Sequence, residues 1–318
     1  MALNLDAFVT DIVFDRGGAV FALGDGIAAW PDGARVAAHD GAILCAAAHP
    51  SGEGVVTGGD DGRLAWSRRD GAVELASRSG RWIDALVASP ASGLIAFSAG
   101  REVGVLDIKD GAFERRFAHP ASVAALAFDP KGRRLAAATY GGAALWYARI
   151  AEQTPVMLRW AGSHIAAAFS PDGRFLISSM QEGALHGWRL TDAMDLRMGG
   201  YPAKVRSLAF LAKGAALATS GARGVVVWPF SGAGGPMGKQ AMELGFDEAA
   251  MVTRVAGDPA GSVIGAGLDD GRVWAYDLDT QAITPLKAER GAPISALAMA
   301  GRNLAWGDEA GGAGVFAL

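Results

Sequence analysis

Short runs of apolar residues alternate with polar turns along the whole chain. Runs such as 123–128 and 205–210 alternate between large apolar residues and small or polar ones, and turn residues bound each run at both ends. This period is typical of β-strands. Alanine is abundant and favours helices, but its runs end at turn signals too soon to form a helix. The pattern therefore predicts an all-β fold.

Two kinds of turn recur between these runs. The first reads Asp or Ser, then Pro, then Gly one or two residues later, as at 129–132, 170–173 and 258–261. Proline presets φ for the start of such a turn, and glycine takes the left-handed position that sends the chain back as a hairpin. The second kind is shorter and also ends in Gly, as at 60–62 and 269–271. The two turns join three successive strands of one repeat.

The third run of each repeat ends in a large residue, which we call the anchor, and a fourth segment follows each anchor. Successive anchors are separated by 36, 40, 40, 42, 40, 48 and 40 residues. Four strands in about 40 residues are typical of one blade of a β-propeller. The anchors are Trp30, Trp66, Leu106, Trp146, Trp188, Trp228, Tyr276 and Phe316.

The repeats predict a closed β-propeller of four-stranded antiparallel blades that forms a single domain over residues 1–318. The eight anchors indicate eight blades, and seven is the alternative if the weak first repeat (10–39) forms something else. The last repeat (294–318) supplies only three strands. We expect the N-terminal segment (3–8) to join the last blade as its fourth strand, because closure of the ring removes exposed strand edges.

One repeat carries a set of polar residues that identifies a family. His39-Asp40-Gly41 is followed by Thr57, by Asp61 in the second turn and by Trp66. This arrangement resembles a blade of the WD-repeat family, in a divergent, bacterial-like form. The resemblance implies a hydrogen-bonded relay formed by His39, Thr57, Asp61 and Trp66.

A later repeat matches three of the four relay positions. His119, Thr139 and Trp146 are present, and no Asp occupies the turn. The Trp-Asp dipeptide of the family does not occur in the sequence. The resemblance covers nearly the whole chain in period and turns. It implies a fold and says almost nothing about function.

Composition and charge narrow the classes of partner. The net charge is −4, and the 29 Lys and Arg form no run, which argues against nucleic acid and membrane surfaces as partners. A single cysteine, Cys45, excludes an internal disulfide and favours a reducing compartment. The N-terminus does not resemble a signal peptide, and no apolar segment is long enough to span a membrane. We therefore predict a cytoplasmic monomer.

The sequence offers little catalytic chemistry. The five histidines show no metal-ligand spacing on one element, and the glycine-rich segment 234–240 lacks the pattern of a phosphate loop. Cys45 lies in an apolar run and is interpreted as a small core residue. We predict a protein that is not an enzyme and that needs no metal or cofactor.

The loops between blades carry the one functional indication. If the strands of a blade are a to d in chain order, the loops from strand d to the next strand a surround one mouth of the central channel. Aromatic and cationic side chains dominate binding hot spots. We therefore predict an interaction scaffold that binds a peptide or a protein loop on the d–a loop face through Trp82, Trp160, Tyr201, Phe246, Arg81, Lys204 and Arg290.

Two other features are left open. The alternative function is a propeller enzyme or a small-molecule binder that uses the central channel, although the apolar inner strands weigh against it. The longest interval between anchors contains the segment 231–246, which is either a site of specific contacts or a slack loop.

Overall fold

A computed structural model describes residues 2–318 of the chain. The chain divides into two compact units. Unit 1 comprises Phe169–Leu318 together with the N-terminal residues up to Val9, and unit 2 comprises Thr10–Ala168. Both units consist of β-strands and turns.

Unit 2 is built from successive antiparallel strands, which pair in chain order. Three four-stranded sheets come first, and three further strands follow. The strands, the first and last of which cross the unit boundary, are β2 (Val9–Asp15), β3 (Gly18–Leu23), β4 (Ile27–Ala29), β5 (Arg35–Ala37), β6 (Ile43–Ala48), β7 (Val55–Gly59), β8 (Arg63–Arg68), β9 (Gly71–Ser77), β10 (Ala85–Ser89), β11 (Leu94–Ala99), β12 (Glu102–Asp107), β13 (Asp110–Ala118), β14 (Ala125–Phe128), β15 (Arg134–Tyr147) and β16 (Val156–Phe169).

Unit 1 has the same organisation and contains one short 3₁₀ helix. The insertion 231–246, which the sequence leaves open as a site of specific contacts or a slack loop, contains the short strand Met242–Leu244. The elements are β1 (Ala2–Asn4), β17 (Phe175–Met180), β18 (Ala184–Arg189), β19 (Met194–Met198), β20 (Leu208–Leu211), the 3₁₀ helix Ala212–Gly214, β21 (Ala216–Thr219), β22 (Val225–Pro229), β23 (Met242–Leu244), β24 (Val252–Gly257), β25 (Val263–Leu268), β26 (Val273–Asp277), β27 (Ile283–Lys287), β28 (Ile294–Ala300), β29 (Asn303–Asp308) and β30 (Gly312–Ala317).

Within residues 2–318, hydrogen bonding assembles the strands into seven sheets, six with four strands and one with six, β14 to β19 in chain order. The count of eight separate blades was therefore wrong, and the alternative count of seven agrees with the sheets. The cause lies in β15 and β16, which have 14 residues each. Their ladder shifts register but continues, with Tyr140 opposite Ser163 and Gly142 opposite Arg159. The six-stranded sheet thus contains two anchors, Trp146 and Trp188.

The N-terminal strand takes the fourth position of the last sheet, as the sequence predicts. This sheet has the order β1-β30-β29-β28. Ala2 lies opposite Gly314 and Asn4 opposite Gly312 in an antiparallel ladder. The Ser295 hydroxyl also donates to the carbonyl of Val9 at 2.7 Å. Both ends of the chain are therefore held in the same sheet of unit 1.

The first kind of predicted turn forms as expected. In 129–132 the N–H of Gly132 donates to the carbonyl of Asp129 at 2.8 Å, and Gly132 has a φ of +63°. The carboxylate of Asp129 also accepts the N–H of Arg133 at 2.7 Å. Only glycine adopts this left-handed conformation at little cost, so the turn residues set the register of the hairpin.

Burial separates the inner strands from the outer ones. Every residue of β7, β11 and β17 is buried, whereas most of β27 is exposed. A strand that is covered on both faces is mostly apolar, and the polar residues of these three strands are small: Thr57, Ser98, Ser178 and Ser179. Most of the apolar core therefore lies on the second and third strands of the repeats.

Candidate functional site: relays, loops and a cavity

The four side chains of the first predicted relay lie in unit 2, and three of them bond together. The Nδ1 atom of His39 lies 2.9 Å from Asp61 Oδ1, and its Nε2 atom lies 2.8 Å from Thr57 Oγ1. A carboxylate can only accept, so Nδ1–H of His39 donates to Asp61. The Nε2 atom faces the Thr57 hydroxyl. The relay joins the d–a loop before β6 to β7 and to the turn after β7.

Asp61 is the most highly connected member of this relay. It also accepts the N–H of Asp40 at 3.1 Å, and both the N–H and the Nε–H of Arg63 at 3.0 and 2.8 Å. Burial alone would raise the pKa of Asp61, but these bonds and the bond from His39 outweigh burial and hold the pKa well below its ordinary value of 3.8. Asp61 is therefore a charged group that fixes two segments of backbone.

Trp66 lies outside the bonded relay, which corrects the prediction. Its Nε1–H donates to the carbonyl of Glu53 at 2.8 Å. The indole is half-buried and stacks on the ring of His49, with 4.1 Å between the ring centres. The hydroxyl of Thr57 is directed instead toward His39 and the carbonyl of Ala65. The indole N–H thus bonds to the neighbouring turn and not to Thr57.

The second predicted relay contains one direct bond. The Nε1–H of Trp146 donates to His119 Nε2 at 3.0 Å. Desolvation lowers the pKa of the buried His119, which agrees with a neutral ring that accepts at Nε2. Thr139 is not in this bond, because its hydroxyl donates to the carbonyl of Tyr140 at 3.2 Å.

The structure contains a third relay that the sequence analysis missed. The hydroxyl of Tyr201 lies 2.7 Å from Thr219 Oγ1 and accepts the Nε1–H of Trp228 at 2.6 Å. Trp146 follows His119 by 27 positions, and Trp228 follows Tyr201 by the same 27 positions. Tyr201 therefore occupies the histidine position of its repeat, and this spacing is the signal that could have found it.

The hydroxyl of Tyr201 is thus held inside its own repeat, and its role in partner binding stays a prediction. Burial raises the pKa of Tyr201 to about 12, although the bonds to Thr219 and Trp228 act in the opposite direction. Its hydroxyl is fully engaged with the second and third strands of the sheet β20–β23. We assign Tyr201 a structural role.

Replacing Tyr201 with Phe is expected to lower the free energy of unfolding by about 1 kcal/mol, because one hydrogen bond is lost and the Trp228 N–H loses its acceptor. Urea denaturation measures the change. The control is Tyr147→Phe, at a ring that is 55% exposed, which should change stability by less than about 0.5 kcal/mol. Equal stability of the two variants would contradict the structural role.

The three other predicted aromatic residues differ in their exposure. Trp82, between β9 and β10, is 63% exposed, and Phe246, between β23 and β24, is 58% exposed. Trp160 does not lie in a loop as predicted, because β16 runs through it without interruption. It is half-buried, and its carbonyl accepts the Nε2–H of His164 at 3.0 Å. The extended ladder between β15 and β16 converts the expected loop into strand.

The predicted cations also differ in their surroundings. Arg290 lies 3.3 Å from the carboxylate of Asp270, which Arg272 also contacts at 2.8 Å. Arg81 and Lys204 are exposed, and neither forms a salt bridge to any residue in 2–318. Arg81 stands next to Trp82 in unit 2, whereas Lys204 lines a cavity in unit 1.

This cavity has a volume of about 600 Å³ and lies entirely within unit 1. Residues from the sheets β20–β23, β24–β27 and β28–β30 line it, together with Phe8. Its wall is chemically mixed: Lys204, Arg206 and Arg254 are cationic, and Asp269 and Glu309 are anionic. A concave site with an apolar wall and a few charged groups is typical of ligand sites.

The structure offers little for redox or metal chemistry. Across residues 2–318, no three His, Cys, Asp or Glu side chains are grouped so that they could hold a metal ion. The Cys45 thiol donates to the carbonyl of Ile83 at 3.3 Å, and desolvation raises its pKa, helped by the charges of Asp11 and Asp84. Such a thiol is a poor nucleophile.

The described part of the chain contains no helix that is long and apolar enough to cross a membrane.

Comparison with known proteins supports the fold. Residues 33–65 match the family described as WD40: WD domain, G-beta repeat. This stretch includes three members of the first relay, His39, Thr57 and Asp61. No curated protein matches the chain at a significant level.

Two solved structures are similar over most of the chain. The computationally designed protein Ika8 has a TM-score of 0.79 and 20% identity, over 99% of this chain and 98% of that chain. The β-propeller domain of Cps50 (Swd1) from Myceliophteria thermophila has a TM-score of 0.68 and 15% identity, over 87% of this chain and 97% of that chain. At these identities the likeness shows the fold alone.

The chain is therefore an all-β propeller of four-stranded antiparallel blades. The resemblance to the WD-repeat family is confirmed by the match over residues 33–65.

Proposed function

We propose that this protein is a non-catalytic interaction scaffold that binds a peptide or a protein loop through its d–a loops. WD-repeat propellers are generally interaction scaffolds without enzymatic activity. The observation that carries the proposal is the exposure of Trp82. Of the nine tryptophans, all within the described residues, Trp82 alone is exposed, at 63%.

Exposure of a tryptophan side chain to water is unfavourable in the free protein, but an exposed ring can be buried when a partner binds. The ring presents a large apolar surface to water, and burial of such a surface is a main source of binding free energy. Arg81 stands beside it without a salt bridge to any described residue. Tryptophan and arginine are both enriched in the hot spots of protein interfaces.

Unit 1 offers a second candidate contact on its own d–a loops. Phe246 is 58% exposed, and the carboxylate of its neighbour Asp247 is held by Arg272 at 2.6 Å. This ion pair is only partly exposed, at 15% and 20% of the two side chains. The loop therefore has a fixed position while its aromatic ring remains available to a partner.

The test is the loss of a partner when the rings are removed. Trp82→Ala and Phe246→Ala should each weaken capture of the partner from the cells that make the protein by about 30-fold, which corresponds to about 2 kcal/mol per hot-spot residue. The control is Tyr147→Ala, because Tyr147 is similarly exposed, at 55%, but is the last residue of β15 and does not lie in a d–a loop. If folded Trp82→Ala and Phe246→Ala variants retain the same partners as the wild type, the proposal is wrong.

A small-molecule binder or an enzyme is the second candidate, and the 600 Å³ cavity is the observation that favours it. Such sites in propellers often hold a metal. Metal analysis of the purified protein separates the two candidates, because stoichiometric Ca or Zn would favour this second function. A single-domain, cytoplasmic monomer that binds neither nucleic acid nor membrane remains our prediction.

A further inference from the structure

The cavity of unit 1 carries two cations without acidic partners. The side chains of Lys204 and Arg206 are exposed and form no salt bridge with any residue in 2–318. Most other arginines of the chain contact a carboxylate; Arg63 and Arg272 each contact two. Two neighbouring cations that repel each other and lack a counter-charge can be stabilised by an anionic ligand.

The segment that carries the two cations is fixed by hydrogen bonds. The Ser220 hydroxyl accepts the N–H of Arg206 at 3.1 Å and the N–H of Ser207 at 3.2 Å. On the other side, the N–H of Gly221 donates to the carbonyl of Val252 at 2.9 Å. The turn after β21 thus ties the cationic segment to β24. A ligand that binds there does not have to order the backbone first.

The charged residues of the cavity come from three sheets. Lys204 and Arg206 precede β20, Arg254 lies on β24, and Glu309 follows β29 in the last sheet. Arg254 is partly held, since it donates to the carbonyl of Thr253 at 3.0 Å. Asp269 is engaged as well and accepts the N–H of Met251 at 2.9 Å. The two cations without acidic partners thus precede the sheet β20–β23, and one acidic group belongs to the sheet β28–β30.

Apolar side chains also line the cavity. Phe8 is 42% exposed, and Met251, Val252, Pro293 and Ile294 complete the wall. A free inorganic anion would make no use of this apolar wall. An extended peptide would cover it while placing one acidic side chain against the cations.

Resting on the proposed scaffold function, we propose that the cavity of unit 1 binds an acidic peptide, with the carboxylate of an Asp or Glu side chain paired to Lys204 and Arg206. A basic residue further along the same peptide would face Glu309. Contacts with Trp82 and Phe246 add to the affinity for a partner of either charge. The charged groups of the cavity instead select a partner that carries an acidic residue.

The test is a peptide selection in which the charge of the cavity is reversed. Phage that display random 12-residue peptides are selected on the full-length wild-type protein and on the Lys204→Glu/Arg206→Glu variant. The wild type should enrich Asp and Glu at one peptide position. The variant should lose this enrichment and favour Lys or Arg there, because its two new carboxylates join Glu309 and Asp269.

The matched control is Lys109→Glu/Lys131→Glu, which changes the net charge by the same amount. Lys109 lies in the turn between β12 and β13, and Lys131 in the turn between β14 and β15; both are exposed. This variant should select the same acidic peptides as the wild type. Circular dichroism of each purified variant confirms that it is folded before selection.

A selected peptide is then measured alone by fluorescence anisotropy. Its Kd should rise at least about tenfold with the double charge reversal in the cavity, and equally when its acidic residue is changed to Gln or Asn. When the cavity variant and the changed peptide are combined, the loss of binding free energy should be smaller than the sum of the two separate losses, because both changes remove the same ion pair.

The outcomes separate this inference from the scaffold function. If the wild type enriches peptides without an acidic preference, or if the acidic preference persists in Lys204→Glu/Arg206→Glu, the cavity does not select acidic peptides while the scaffold function stands. If no peptide is enriched over the bare support, the proposed peptide-binding function fails as well.

Discussion

Replacing Trp146 with Ala is expected to lower the free energy of unfolding by about 3–5 kcal/mol, the range found for large aromatic side chains removed from a core. The indole is 8% exposed and stacks on Phe117 with 4.5 Å between the ring centres. It belongs to the core cluster that also contains Leu126 and Leu135. The substitution leaves a cavity between these residues and removes the indole N–H that donates to His119 Nε2.

Urea denaturation followed by circular dichroism measures this loss. Trp146→Phe should cost clearly less than Trp146→Ala, since most of the stacking and the volume remain. The matched control is Trp82→Ala, which removes the same side chain from an exposed position and should change stability by less than about 0.5 kcal/mol. If Trp146→Ala lowers the free energy of unfolding by less than about 1 kcal/mol, Trp146 does not stabilise the core cluster as proposed.

The anchors also show how far the sequence predicts the fold. The repeat of about 40 residues and its turns can be predicted from the sequence. Pro and Gly restrict or permit particular φ values locally, and large apolar residues indicate buried positions. Trp30 and Trp188 are each 1% exposed, as expected of core anchors. Trp66 and Trp228 are only half-buried, because their indole N–H groups bond to a turn carbonyl and to Tyr201 at the end of the sheet.

The number of sheets could not be predicted in the same way. Whether two repeats share a sheet depends on a ladder between residues that are distant along the chain, such as Tyr140 and Ser163. Gly141 and Gly142, with φ of +87° and +133°, bend the chain between the two halves of β15. In the sequence, this pair is indistinguishable from the turns that separate strands.

The candidate site was partly predictable for a related reason. Thr57 and Asp61 were identified because their spacing from His39 and Trp66 resembles that of a WD-repeat blade. Tyr201 was assigned to binding because a tyrosine in a loop has no visible partner until Thr219 and Trp228 are brought to it. The cavity of unit 1 was not predicted, since its charged residues come from three different repeats.

Replacing Asp61 with Asn is expected to lower the free energy of unfolding by about 1.5–3 kcal/mol near neutral pH. The carboxylate accepts four hydrogen bonds, from His39, Asp40 and twice from Arg63. An amide has one oxygen and no charge, so at least one donor would lose its partner and the others would be weakened. The matched control is Asp60→Asn, because Asp60 is its neighbour in the same turn and its side chain makes no hydrogen bond within the described residues.

The difference between the wild type and Asp61→Asn should depend on pH with a defined sign. The pKa of Asp61 in the folded protein is below 3.8, so between the two values the unfolded chain binds the proton more readily and stability rises with pH. The contribution of Asp61 is therefore complete at neutral pH and is lost as the pH falls below about 5 toward the folded-state pKa. Denaturation curves from pH 7 to 3 should show the two proteins converging. A difference that stays constant or grows toward acid would mean that the charge of Asp61 does not hold the relay.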